Sequence, residues 1–258
     1  MTRSKVPAWS RVLGDDPTAW LLESGPPWVK LGVLRDLLDA PPDDPAVVAA
    51  REELHAHPLV RECLDRLADW PEPALRRHDD AKHPLQRLKL LVDLGVDRSL
   101  PGVPRLLGRI LASAGSDGQL RSLILDPETQ EPLRLAYPCD APILLGAALA
   151  IGEPGDPRAE AALEALLVRR ERDGGWFCHA DWRGMESEWR RRPVSCPIAT
   201  LDSLWALSLL PASDARRNGG EGAELLLRHF EDYDRRKGRP ACGFQAGKRF
   251  RRRKFPFV

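Results

Sequence analysis

The sequence predicts an all-α chain of helical hairpins, with one small β-hairpin near residues 120–137. Two observations carry this. Leu and Ala dominate the apolar residues while Tyr, Phe and Ile are few, and strands draw on β-branched and aromatic side chains. The second is a proline rhythm. Pro27, Pro84, Pro142, Pro197 and Pro256 follow one another at intervals of 57, 58, 55 and 59 residues, and each of the first four opens an apolar-rich helical stretch. A fixed period of supersecondary units marks a repeat architecture, in which each unit buries its face on the next.

In order, residues 1–19 read as a polar, irregular N-terminal extension, and 20–258 as the repeat domain. Trp20–Gly25 is a short helix, with Gly25 expected as a left-handed cap. Pro26-Pro27 open a helix over Trp28–Leu38, because proline's missing N–H has no helical partner in the first turn. Helices follow over Ala46–His55 and Pro58–Asp69, then a polar loop over Glu72–Lys82. The next pair runs Pro84–Leu94 and Pro104–Ala114, each stopped by glycine. Between Leu120 and Tyr137 the rhythm breaks, and Ser122-Leu-Ile-Leu and Pro132-Leu-Arg-Leu flank a Pro-Glu-Thr-Gln turn as a hairpin would. Helices resume over Ile143–Ile151, Arg158–Arg170 and Ile198–Leu210, with a partner over Gly222–Asp232 and a basic, turn-rich tail from Arg235.

Within each repeat the first helix is apolar on most sides, Leu144-Leu-Gly-Ala-Ala-Leu-Ala-Ile151 most purely, and is expected inside; the second carries charge on one face and is expected outside. An open solenoid and a closed ring both satisfy such pairs. Asp173-Gly174-Gly175-Trp176, at the end of an outer helix, resembles the glycine–tryptophan repeat motif of the terpenoid cyclase and protein prenyltransferase superfamily. Trp70 and Ser116-Asp-Gly-Gln119 stand at equivalent places as weaker copies. The resemblance runs from about Trp20 to Val258, through order and spacing. It implies an α/α toroid of about four hairpins plus the start of a fifth at Phe255-Pro-Phe-Val258, where the family has about six. Such a barrel is shortened, truncated or completed by another copy, so a second chain or a missing segment is expected over its open edge.

Charge is balanced, 39 basic against 38 acidic residues, which argues against a nucleic-acid binder. No apolar run approaches the ~18 residues of a membrane span, and none follows Met1 as a secretory signal would. Five cysteines form no disulfide framework, so a cytoplasmic, reduced chain is expected. The Pro, Arg and Ala content suggests a GC-rich bacterial gene. No phosphate-binding loop, dinucleotide fingerprint, Gly-x-Ser-x-Gly or Cys-x-x-Cys pair is present.

The resemblance also implies where chemistry would lie. In the squalene–hopene type cyclases an Asp-rich motif at the start of an inner helix protonates the substrate. The matching stretch is Tyr137-Pro-Cys139-Asp140, which makes Asp140 and Cys139 the catalytic candidates, with Cys139 in the proton donor's place. A thiol is too weak an acid to protonate an alkene. Read from the residues alone, Asp140 is an N-cap for the helix at Pro142. In the prenyltransferases zinc sits at the same mouth. Cys139 matches the cysteine ligand, whereas Tyr137 and Val194 replace the aspartate and histidine. Cys139, Cys178 and Cys196, with His179 or Asp140 as fourth ligand, would suit tetrahedral zinc. The other reading makes them small buried apolar residues, as Cys63 and Cys242 are taken to be.

Arg190, Arg191 and Arg192 precede the fourth inner helix, and Arg249, Arg251 and Arg252 the fifth. In a toroid both runs would share one rim with the helix N-termini and attract an anion; otherwise they are solvated loops. Trp205 and His83 join the candidate substrate- and anion-binding residues, against plain readings of core packing and structural histidine. The expected function is a cyclase- or prenyltransferase-like toroid binding or transforming an anionic, largely apolar small molecule in its central cavity. A non-catalytic toroid serving as a binding or scaffold protein is the alternative, and an open solenoid for protein recognition stands third.

Overall fold

The computed structural model describes residues 15–76, 83–126, 129–177 and 195–231. Among them are ten α-helices: α1 (Thr18–Ser24), α2 (Pro27–Gly32), α3 (Pro45–Ala56), α4 (Pro58–Arg66), α5 (Pro84–Asp93), α6 (Val103–Leu111), α7 (Ala141–Ile151), α8 (Pro157–Val168), α9 (Pro197–Leu207) and α10 (Ala212–Glu231). One two-stranded sheet, β1 (Ser122–Leu125) and β2 (Pro132–Leu135), completes the mostly helical chain. The chain forms two compact units, Met1–Glu62 with Asp93–Val96, and Cys63–Val92 with Asp97–Val258.

In the first unit α2 packs on α3, with α1 alongside α2. Leu31, Val33, Val47, Ala50, Leu54 and Val60 form its buried apolar set, and Lys30 pairs with Glu53 at 3.0 Å between α2 and α3. Trp28 meets the edge of His57, ring centroids 5.0 Å apart, so the Trp28 ring is a packing element. Beyond Gly32 the helix widens into a π turn over Val33–Leu37, with Leu38 N–H donating to the Val33 carbonyl five residues back. Asp39 then takes φ 52°, and the Ala40 N–H returns to the Leu34 carbonyl. Gly25 corrects an expectation: it ends α1 at φ −73°, ψ 148°, extended and not left-handed. Glycine is needed there for space, since a Cβ would lie 2.3 Å from the Leu21 oxygen.

In the second unit the apolar helix α7 is central. Pro142 through Ala148 and Ile151 are all buried, and α6, α8 and α9 pack against it. Small residues let α9 approach closely, with Ala199, Ser203 and Ala206 buried on one helix and Ala147 and Ala148 on the other. Cys139 and Cys196, each just ahead of its helix, share one apolar cluster, while Gly146 and Trp205 meet further along. The two helices therefore run side by side in the same direction. Helix α10 covers α9.

The hairpin pairs Ser122 with Leu135 through Leu125 with Pro132, antiparallel as expected. The loop after α4 adds a contact the sequence did not announce. Leu75 donates to the Leu123 carbonyl at 2.8 Å and accepts from Leu125 N–H at 2.9 Å, extending the sheet by one bridge.

Helix α10 differs most from expectation. It begins at Ala212, ten residues before the expected Gly222, and passes through Gly219, Gly220 and Gly222 without breaking. These glycines cost helix propensity but give clearance. A Cβ on Gly219 would lie 3.0 Å from Leu204, and one on Gly222 2.9 Å from the Gly174 oxygen. Among the described residues no helix is long and apolar enough to cross a membrane.

Candidate functional site

The Asp-Gly-Gly-Trp motif forms a brace among α8, α9 and α10. Gly174 stands at φ +90°, in the region that favours glycine, and a Cβ there would lie 2.5 Å from Cβ of Glu221 on α10. This turn aims Trp176 into the core, where it is 2 % exposed and its Nε1–H donates to the Leu166 carbonyl at 2.8 Å. Trp176 N–H donates to Thr200 Oγ1 at 3.0 Å, and its carbonyl accepts from Cys196 N–H at 2.8 Å. Asp173 holds Ser195 as well, so the chain before residue 178 and the chain after residue 194 are tied together at the start of α9.

Asp140 and Cys139 lie beside this brace, at the start of α7. Asp140 occupies the N-cap position, but its side chain makes no capping hydrogen bond to α7, which corrects the capping expectation. Its Oδ2 instead accepts from Ser122 Oγ of β1 at 2.7 Å. Both side chains are only 1 % exposed. The carboxylate thus joins the hairpin to the helix, and it is shut away from solvent. Cys139 and Cys196, 6 % and 1 % exposed, pack among Trp176, Ala199 and Leu207. Two of the expected zinc ligands therefore share one apolar cluster. Cys178 and His179 lie outside the described residues, and among the described residues no group of three or more His, Cys, Asp or Glu could hold a metal ion.

His83 is buried just ahead of α5. Its Nδ1 accepts from Leu85 N–H at 3.1 Å, and its Nε2 lies 2.9 Å from the Pro73 carbonyl. An accepting Nδ1 leaves the proton on Nε2, so the neutral imidazole caps α5 and pins the preceding loop at once. Both nitrogens are committed to backbone.

Trp205 is only partly buried. A Cβ on Gly146 would lie 2.1 Å from its Cζ3, so the glycine in α7 is what makes room for the ring. On α5, Lys89 Nζ lies 3.4 Å from the ring centroid, within cation–π range. Helices opening at Pro84, Pro142 and Pro197 all meet at this indole. Sequence reasoning found Trp205 but not Lys89, Gly146 or Ser122. The available signal was the lone lysine within Leu88-Lys-Leu-Leu-Val92.

The expected anion-binding arginines, Arg190, Arg191, Arg192, Arg249, Arg251 and Arg252, lie outside the described residues. Surface electrostatics elsewhere are local. The Arg158 side chain beside Asp156 pulls its carboxyl down to about 2, helped by the Arg158 N–H that it caps at 2.9 Å. Arg98 likewise holds Glu153 below the usual carboxylate range through a side-chain hydrogen bond. Compared with protein families, with curated proteins and with solved structures, the chain matches none.

Proposed function

We propose that the chain is a binding protein on the α/α toroid plan, holding an anionic, largely apolar small molecule, and that it does not use Asp140 or Cys139 as reactive groups. The observation that carries this is the Asp140–Ser122 pair. Both partners are 1 % exposed and bonded to one another, an arrangement suited to joining a hairpin to a helix and unsuited to meeting a substrate. The toroid plan is supported by the proline period and by α7 and α9 running in one direction beneath α8 and α10.

Native mass spectrometry of the purified chain tests the reading. An anionic apolar molecule should co-purify and remain bound in Asp140→Asn. Metabolite profiling of a deletion strain gives the contrary outcome: an accumulating substrate with a missing product, restored by wild type and not by Asp140→Asn, would establish catalysis and overturn the proposal.

A second reading adds zinc. It is supported by Cys139 and Cys196 sharing one cluster with Trp176, two residues before Cys178-His179 in the sequence. Thiolate and imidazole are the donor types zinc takes in tetrahedral sites. Elemental analysis of untagged protein should then find about one zinc per chain, lost in Cys139→Ala.

A further inference from the structure

We propose that the exposed apolar end of the first unit is a docking surface for the C-terminal tail, Lys248–Val258, of a second copy of the chain. Trp20 on α1 is 65 % exposed, and Leu38, which ends the π turn, is 45 % exposed. Helix α1 is joined to α2 by Gly25-Pro26 and packs along α2 and the π turn. The start of α1 and Leu38 therefore stand at one end of a helical hairpin. Side chains on a helix lean toward its N-terminus, which tilts the Trp20 indole toward that end. Apolar side chains rimmed by charge mark interaction surfaces.

The rim is acidic. Residues 15–50 hold seven acidic and two basic side chains, and both cations are taken: Lys30 pairs with Glu53, and Arg35 with Asp36. Glu23 lies one turn from Trp20 on the same face of α1, and Asp39 and Asp43 follow Leu38. All three are exposed, and among the described residues none of them is paired with a cation. The tail supplies the complement. Residues 248–258, outside the described residues, read Lys-Arg-Phe-Arg-Arg-Arg-Lys-Phe-Pro-Phe-Val, with six cations, no acid and three phenylalanines. Arginine and aromatic side chains are what interface cores favour; either can lie on an exposed indole while neighbouring cations meet Glu23, Asp39 and Asp43. Lys248 comes 17 residues after Glu231, where α10 ends, a length of at most about 60 Å of extended chain. That length can reach a neighbouring molecule. Each copy carries one acidic face and one basic tail, so a reciprocal exchange fills both faces in a closed pair.

Sedimentation velocity of the full chain tests the exchange. The chain should be dimeric at about 50 mM salt and shift toward monomer at about 500 mM, because exposed charge pairs are screened. Two variants probe the two sides: Trp20→Ser on the face, and Arg251→Gln, Arg252→Gln and Arg253→Gln together in the tail. Each should raise the dimer dissociation constant at least about tenfold, with helical circular dichroism unchanged. An equimolar mixture of the two variants should pair more tightly than either alone, since one intact face then meets one intact tail. A monomer at low salt, or a dimer that neither variant weakens, overturns the proposal. So does a mixture no tighter than the variants by themselves, because face and tail would then not meet one another.

Discussion

Asp173 grips Ser195 with both carboxylate oxygens: Oδ1 accepts from the hydroxyl at 2.5 Å and Oδ2 from the backbone N–H at 3.1 Å. The aspartate of the tryptophan motif thereby fixes where α9 begins, and with it the positions of Cys196 and Trp205. Replacing Asp173 by Ala should destabilise the chain by about 1.5–3 kcal/mol, the usual worth of hydrogen bonds to a charged group. Urea unfolding measures it. A double-mutant cycle with Ser195→Ala should show strong coupling, and additive losses would mean that the two residues act independently.

Gly146→Ala should destabilise by about 1–3 kcal/mol through overpacking, because the new methyl would lie 2.1 Å from Cζ3 of Trp205. The loss should shrink when Trp205→Leu is combined with it. Denaturant midpoints of the single and double variants decide this, and an unrescued Gly146→Ala would place the clash elsewhere.

Asp140→Ala should cost about 1–3 kcal/mol, since it leaves the buried Ser122 hydroxyl without the acceptor at 2.7 Å. Ser122→Ala with Asp140→Leu should recover part of that loss, because removing both polar partners is milder than orphaning one. Thermal unfolding of wild type and the two variants checks the order.

Asp156 provides a pH signature. Its folded carboxyl is lowered from the ordinary 3.8 to about 2, chiefly by the Arg158 side chain. A depressed carboxyl contributes stability that is present above its unfolded value and lost as pH falls through the folded one. The contribution of Asp156 should thus disappear between about pH 3.8 and about 2, and a carbon-13 titration of its carboxyl should show a midpoint at about 2. Arg158→Ala should raise that midpoint.

Most helix positions were legible in the sequence because the forces that set them are local. Prolines at first turns, glycines after last turns and the Leu–Ala composition place every described helix to within a few residues except α10. The hairpin was legible from its two short apolar runs about one turn. The first ten residues of α10 were not legible because sequence shows the low helix propensity of Gly219 and Gly220 and not the neighbours that its glycines clear, Leu204 and the Gly174 oxygen.

The candidate site divides in the same way. Asp140, Cys139, Cys196, His83 and Trp205 could be picked out from their places in the repeat, but their exposure could not, since burial depends on which faces meet. Only the tertiary structure set Ser122 of β1 against Asp140, committed both nitrogens of His83 to backbone, and brought Lys89 across to Trp205. Each of these contacts joins residues ten or more apart in the chain except the His83 cap, and Lys89 and Trp205 are more than a hundred apart. Local propensity determines where a helix starts; packing between distant segments decides which of its side chains is left able to meet another molecule.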